Sequence, residues 1–127
     1  MNSAKPLDVW LVDDDASIRW VLERALRQAG LDTRAFDNAD AALAALRQGA
    51  PDVLVTDIRM PGRSGLEMLE EIRARRPRLP VIVMTAHSDL ESAVAAYQGG
   101  AFEYLPKPFD IDQAVELVRR AATQGQR

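Results

Sequence analysis

The chain alternates short runs of β-branched and apolar residues with stretches whose apolar positions recur every three or four residues. That alternation is the pattern of parallel βαβ units. Val9 to Val12 reads as a strand, and Ile18, Val21, Leu22, Ala25 and Leu26 then mark one face of a helix that Gly30 ends. Thr33 to Phe36 is a weaker second strand. Asn38 caps a helix carrying Ala42, Leu43 and Leu46, which Gly49 and Pro51 stop before the apolar strand Val53 to Thr56. Ser64 to Glu67 matches the S-x-x-E capping box, so a third helix with Leu66, Leu69 and Ile72 inward should start there and end before Pro77. Val81 to Thr85 is a fourth strand. A second capping box, Ser88 to Glu91, opens a short helix with Leu90, Ala93, Val94 and Tyr97 on its inward face and Gly99-Gly100 as its stop. Phe102 to Leu105 is the fifth strand. Asp110 caps a last helix with Ile111, Ala114, Val115, Val118 and Ala121 or Ala122 inward, and Thr123 to Arg127 is a polar tail. Five strands, five helices and right-handed crossovers predict an α/β, doubly wound sheet covered on both faces.

Length and charge narrow the function classes. The 127 residues suit one domain able to bury roughly 65–70% of its unfolded surface. With 16 Lys and Arg against 19 Asp and Glu, the net charge is −3, and the basic residues are scattered among acids. That is not the footprint of a domain that grips phosphate backbones, so direct nucleic-acid binding is not expected. The absence of cysteine excludes disulfides and Cys-based zinc sites. Apolar runs such as Val81 to Ala86 fall far short of the roughly 18 residues of a membrane span. The stretch after Lys5 is broken by Asp8 and closed by Asp13-Asp14-Asp15, unlike an export signal. The expectation is a soluble cytoplasmic protein that does not bind membranes.

In open α/β sheets ligands sit beyond the carboxyl ends of the strands. There the sequence places Asp13, Asp14 and Asp15 after the first strand, Asp57 after the third, Thr85 at the end of the fourth and Lys107 past the fifth. Crowded carboxylates repel one another by roughly 4 kcal/mol per pair about 4 Å apart at an effective dielectric near 20. Lys107 supplies one compensating charge, and an oxygen-only cluster suits a hard cation such as Mg²⁺. Taken singly, each residue has a plainer role: Asp15 as a helix N-cap, the Asp run as a solvated loop, Asp57 as a strand terminator, Thr85 as a satisfied hydroxyl and Lys107 as a surface residue. Their joint placement is the signal. An EF-hand from Asp13 fails because Ile18 and Arg24 stand where Gly and Glu are needed. No Walker-type GxxxxGK[ST] or GxGxxG occurs, and His87, the lone histidine, reads as a surface or loop residue.

Four stretches carry a family resemblance: Val12-Asp13-Asp14, Thr56 to Gly62 (TDIRMPG), Met84-Thr85-Ala86 and Leu105 to Phe109 (LPKPF). Over essentially its whole length, residues 1–127, the chain resembles the response-regulator receiver domain of bacterial two-component signalling. The stretches Ile18 to Glu23, Thr85 to Leu90 and Tyr104 to Ile111 look most like the NtrC-type branch of that family. The resemblance implies a flavodoxin-like (CheY-like) fold with strand order 2-1-3-4-5 and a signalling domain rather than a turnover enzyme. It implies that Asp57 accepts a phosphoryl group from a phosphohistidine on a sensor histidine kinase, and that Asp13, Asp14, Asp57 and the Arg59 backbone carbonyl hold Mg²⁺, with Asp14 a direct ligand. Thr85 and Lys107 would contact the phosphoryl oxygens, and the Lys107-Pro108 bond would be cis. Thr85 and Tyr104 would be the switch, altering the surface of the fourth helix and fifth strand. The family often has Asp where this chain has Ser64, which caps a helix equally well.

NtrC-type resemblance also implies downstream AAA+ ATPase and DNA-binding domains, sigma-54-dependent transcription control in nitrogen regulation and a dimer on phosphorylation, with 123–127 the start of a linker. The rivals are a free-standing phosphorelay receiver, a metal-binding interaction module and a small Mg²⁺-dependent aspartyl phosphatase. The phosphatase reading has the acids of D-x-D-x-[TV] at Asp13 and Asp15 but Ser17 in the last place, and no cap domain.

Overall fold

A computed structural model describes residues 6–86 and 88–125. Its elements are β1 (Asp8–Val12), α1 (Ala16–Gln28), β2 (Asp32–Phe36), α2 (Ala39–Ala45), β3 (Val53–Asp57), α3 (Gly65–Arg75), β4 (Val81–Ala86), α4 (Leu90–Gln98), β5 (Glu103–Lys107) and α5 (Ile111–Gly125). All four strand pairings are parallel, and the order is β2-β1-β3-β4-β5. The doubly wound sheet and its order are those expected. β1 pairs with both β2 and β3, so the chain leaves it in opposite directions and opens a crevice at its carboxyl end.

Strand residues alternate between two cores. Val9, Leu11, Val53, Val55, Ile82, Met84 and Leu105 pack with Leu22, Leu26, Ala114, Leu117 and Val118 of α1 and α5. On the other face, Trp10, Val12, Leu54, Val81 and Val83 pack with Leu43, Met68, Leu69, Ile72 and Ala96 of α2, α3 and α4. Burial on both faces explains why the central strands are continuously apolar.

Most helix starts follow the expected chemistry. Asp15 caps α1 by accepting from the Ser17 and Ile18 amides, and Asn38 caps α2 through Ala41 N. Ser64 and Glu67 form the reciprocal capping box of α3. The Asp110 carboxylate accepts from the amides of Asp112 and Gln113. α5 continues through the first three residues of the polar segment 123–127. The Lys107-Pro108 bond is cis.

The fourth helix departs from expectation. Its cap is Asp89, whose carboxylate accepts from Ser92 N at 3.2 Å, and not Ser88. Leu90, Val94 and Tyr97, expected inward, are 66%, 48% and 42% exposed, while Ala93 and Ala96 face the sheet. Both stripes fit a helical period, and the small one lets the helix approach the sheet closely. Val21 on α1 is likewise exposed, whereas Met68 and Leu117, absent from the expected faces, are buried. At the end of α4, Gly100 has φ 98°, and a Cβ there would lie 2.9 Å from Arg73 Cδ. Arg73 passes beneath this turn to donate to the carbonyls of Pro77 and Leu79.

Candidate functional site

The strand ends bring the expected residues to one edge of the sheet. Asp57 pairs with Met84, and beyond it Thr85 pairs with Pro106 and Ala86 with Lys107. Asp13 follows the last residue of β1, which pairs with Thr56, the neighbour of Asp57. The row of parallel strand ends thus sets two acids, a hydroxyl and an ammonium side by side.

Asp13 is held from every side. Its amide donates to Phe36 O at 3.1 Å, and its carbonyl accepts from Arg19 Nη1 at 2.6 Å. Its Oδ1 accepts from the Asp15 amide at 2.9 Å and its Oδ2 from Lys107 Nζ at 3.1 Å, so the side chain stays fixed although only 1% of it is exposed. The same ammonium lies 3.4 Å from Asp57 Oδ1 and bridges the two carboxylates. Asp57 is the more open of the pair, with 13% of its side chain exposed.

The electrostatics follow this burial. Loss of solvent pushes the Asp57 carboxyl up, and Asp13 adds to the rise against the opposing pull of Lys107. Burial alone would lower the Lys107 ammonium, but Asp13 and Asp57 together outweigh it and hold Lys107 above its ordinary value. Asp57 therefore carries a charge that its surroundings do not fully compensate.

Asp13, Asp14 and Asp57 can each place a carboxylate oxygen within 4.8 Å of the others. Asp14 is exposed, which leaves the cluster open to solvent on one side. Three hard oxygen donors around an undercompensated pocket fit Mg²⁺ better than a softer ion that prefers imidazole or thiolate. Thr85 is buried on β4, one residue past the partner of Asp57, and Arg59 stands two residues beyond Asp57 at the same edge. His87 lies outside the described residues.

Residues 9–119 match the sequence pattern of the response regulator receiver domain. The chain belongs to this family. It is 64% identical over 118 residues to the DNA-binding transcriptional regulator NtrC of Salmonella typhimurium, covering 93% of this chain and 25% of that protein. It is 41% identical over 119 residues to the C4-dicarboxylate transport transcriptional regulatory protein DctD of Rhizobium meliloti, covering 94% and 26% respectively. The chain thus spans about a quarter of the length of these relatives. The solution structure of the apo receiver domain of nitrogen regulatory protein C superposes with a TM-score of 0.87 at 61% identity, covering 98% of this chain and 100% of that one. The BeF3-activated form of that domain gives 0.83 at the same identity and coverage. Receiver domains act in signalling and are not turnover enzymes, and this one is of the NtrC type. Among its described residues, no helix is long and apolar enough to cross a membrane.

Contacts from the loop after Asp57 and from β5 tie this edge of the sheet to α4 and its cap. The Arg59 guanidinium reaches Asp89 Oδ2 at 3.0 and 3.2 Å, linking the loop after Asp57 to the α4 cap. Hydrogen bonds from Ser92 and then Arg59 hold the Asp89 carboxyl below the usual range. Tyr104 is half-buried on β5, and the ring of Tyr97 meets it edge-on at 5.7 Å. The Tyr97 hydroxyl donates to Glu103 Oε2 at 2.7 Å. Burial, and then this carboxylate, push the phenol up to about 12. A phenol raised in the folded state favours the fold at pH below its ordinary value near 10, and that contribution disappears as pH rises through about 12. An alkaline absorbance titration should therefore show a late phenolate step that Tyr97→Phe removes. If the step that Tyr97→Phe removes lay instead at the ordinary tyrosine value, the Glu103 contact would not persist in solution.

Sequence reading missed two residues that shape the receiver site. Arg19 holds the Asp13 carbonyl; along the chain it stands four after the helix cap and inside the NtrC-like stretch Ile18 to Glu23, and neither signal assigns it that contact. Gly65 abuts the backbone of Asp57, and nothing along the chain announces that approach.

Proposed function

We propose that Asp57 is the phosphoacceptor of this receiver, taking a phosphoryl group from a phosphohistidine on a sensor histidine kinase. The observation that carries this reading is the Lys107 ammonium set between Asp13 and Asp57, 3.1 and 3.4 Å from their oxygens. A carboxylate oxygen of Asp57 forms a bond to phosphorus as the phosphorus–nitrogen bond of the donor breaks. The electron pair of that bond leaves with the imidazole, and an acyl phosphate remains. Asp57 is ionised at neutral pH despite its raised affinity for protons, so it needs no general base. Lys107 and Thr85 would contact the phosphoryl oxygens, and most of the catalysis is positioning and charge compensation. Asp13, Asp14, Asp57 and the Arg59 carbonyl would hold Mg²⁺, which offsets the negative charge that accumulates during transfer.

The phosphatase alternative makes Asp13 the nucleophile. Asp13 suits that role poorly, because both its oxygens are already engaged and it is almost wholly buried. Asp57, better exposed at the same edge, suits it well. The signal would leave through Thr85 and Tyr104 to the α4–β5 surface, because α4 is short and rests on the sheet mainly by Ala93 and Ala96. A ligand shifts such an element only by its differential affinity for the two arrangements. In this reading the chain is one receiver domain of a longer cytoplasmic protein, whose AAA+ ATPase and DNA-binding domains it controls in sigma-54-dependent nitrogen regulation. It would dimerise on phosphorylation and make no nucleic-acid contact of its own.

The test is intact mass after incubation with acetyl phosphate, with and without Mg²⁺, followed by peptide mapping. One phosphoryl group, dependent on Mg²⁺ and located at Asp57, is expected. Catalytic turnover of small phosphoesters, or an adduct elsewhere, would overturn the reading. On binding a phosphoryl analogue, hydrogen exchange should change mainly across residues 88–106, and uniform protection of the sheet without change there would refute the switch.

A further inference from the structure

Arg19 stands where helix electrostatics disfavour it. Its amide makes the first α1 hydrogen bond, to Asp15 O at 3.1 Å, so its positive charge lies at the amino end of a helix whose first turn holds no acid. Its guanidinium turns back across the cap and donates to the Asp13 carbonyl at 2.6 Å. That carbonyl belongs to the peptide joining Asp13 to Asp14. The Asp13 carboxylate is already fixed by the Asp15 amide and Lys107, whereas Asp14 is exposed. The plane of the 13–14 peptide decides where the Asp14 side chain begins.

We propose that Arg19 is a positioning residue of the receiver site: by holding the Asp13 carbonyl it orients the peptide that presents Asp14, and so sets the affinity for a divalent cation. The inference rests on the reading of Asp13, Asp14 and Asp57 as the Mg²⁺ site. Charge and positioning predict opposite outcomes. Three carboxylates carry −3, and Lys107 with Arg19 returns +2, which leaves −1. Removing the Arg19 charge alone would make the pocket more negative and tighten cation binding. Removing its hydrogen bond would loosen the peptide and weaken binding, as the loss of a group that orients a metal ligand commonly does by about 10–100-fold.

The experiment is an NMR titration of the backbone amides with MgCl₂ in wild type, Arg19→Met and Asp14→Asn. Methionine keeps much of the aliphatic stem while removing charge and donor. The expected result is a Kd raised about tenfold or more in Arg19→Met, with the metal-free Asp14 amide shifted and broadened. A Kd equal to or below that of wild type would overturn the positioning role. A merely structural role in α1 would lower Tm without changing Kd, and that also counts against it. If Arg19→Met does not fold, Arg19→Leu, which likewise removes both charge and donor, is read by the same signs. Failure of wild type to bind Mg²⁺, or indifference to Asp14→Asn, would overturn the metal-site reading and this inference with it. Normal wild-type binding with an unchanged arginine variant overturns this inference alone.

Discussion

Asp57→Asn is expected to abolish phosphoryl uptake and, in metal-free buffer at neutral pH, to melt at a higher temperature than wild type. The amide keeps the shape of the carboxylate but is a far weaker nucleophile, so no acyl phosphate should form. The gain in stability comes from the same residue. Burial first and Asp13 second raise the Asp57 carboxyl despite Lys107, which means that ionised Asp57 is held at a cost in the folded state. A neutral side chain relieves it, and a gain of about 0.5–2 kcal/mol is the usual range for one stabilising substitution.

The pH dependence has a definite sign. For an acid whose folded value is raised, the favourable contribution is fully present below its ordinary value of 3.8 and is lost as pH rises through the folded one. Wild type and Asp57→Asn should thus differ least below that ordinary value, and the variant's advantage should grow to a plateau toward neutral pH. Mg²⁺ should reverse the order. A ligand at 100 times its Kd stabilises by about 2.7 kcal/mol, which wild type gains in full and the variant, lacking one ligand charge, does not. Thermal melts across pH and Mg²⁺ concentration check all three statements. A variant less stable than wild type in metal-free neutral buffer would show that the Lys107 contact outweighs burial.

The fold was readable because its signals are local and agree with one another. Asp15, Asn38, Ser64 and Asp110 each begin a helix by accepting from amides two or three residues on, a relation visible along the chain. The gathering of Asp13, Asp57, Thr85 and Lys107 was readable too, because a doubly wound sheet puts successive strand ends at one edge. What could not be read depends on which of two compatible arrangements tertiary packing selects. In α4, Ser88 and Asp89 both had cap chemistry, and Asp89 is the one that also faces Arg59 across the crevice. Leu90, Val94 and Tyr97 made the more apolar stripe, yet the alanine stripe faces the sheet. The element hardest to place is also the one whose surface the proposed switch would alter, and its limited anchoring accounts for both.

Gly65→Ala should damage fold and function together, although it adds one methyl group. A Cβ at Gly65 would overlap the Asp57 carbonyl oxygen and lie 2.9 Å from Ile58 Cα and 3.0 Å from the Asp57 carbonyl carbon. All three are backbone atoms, so no side chain can rotate aside. The Gly65 amide also donates to Ile58 O at 2.8 Å, pinning the start of α3 against the end of β3. Relief requires either that α3 retreat, which opens the core around Met68 and Leu69, or that the Asp57 backbone move relative to Lys107. Overpacking of this kind costs about 1–3 kcal/mol and sometimes more, and the contact falls at the severe end. Gly49→Ala is the control, because a Cβ there meets nothing within 4 Å and its effect should stay within about 0.5 kcal/mol. Denaturant melts of both variants, with the rate of phosphorylation by acetyl phosphate, decide the matter. A Gly65→Ala variant as stable and as readily phosphorylated as wild type would mean that α3 has room to shift without disturbing Asp57. A variant destabilised but phosphorylated at the wild-type rate would mean that α3 retreats while the acceptor strand keeps its place. Loss of rate beyond the fraction unfolded is the expected result, and it would make the close approach of α3 part of what aims the acceptor.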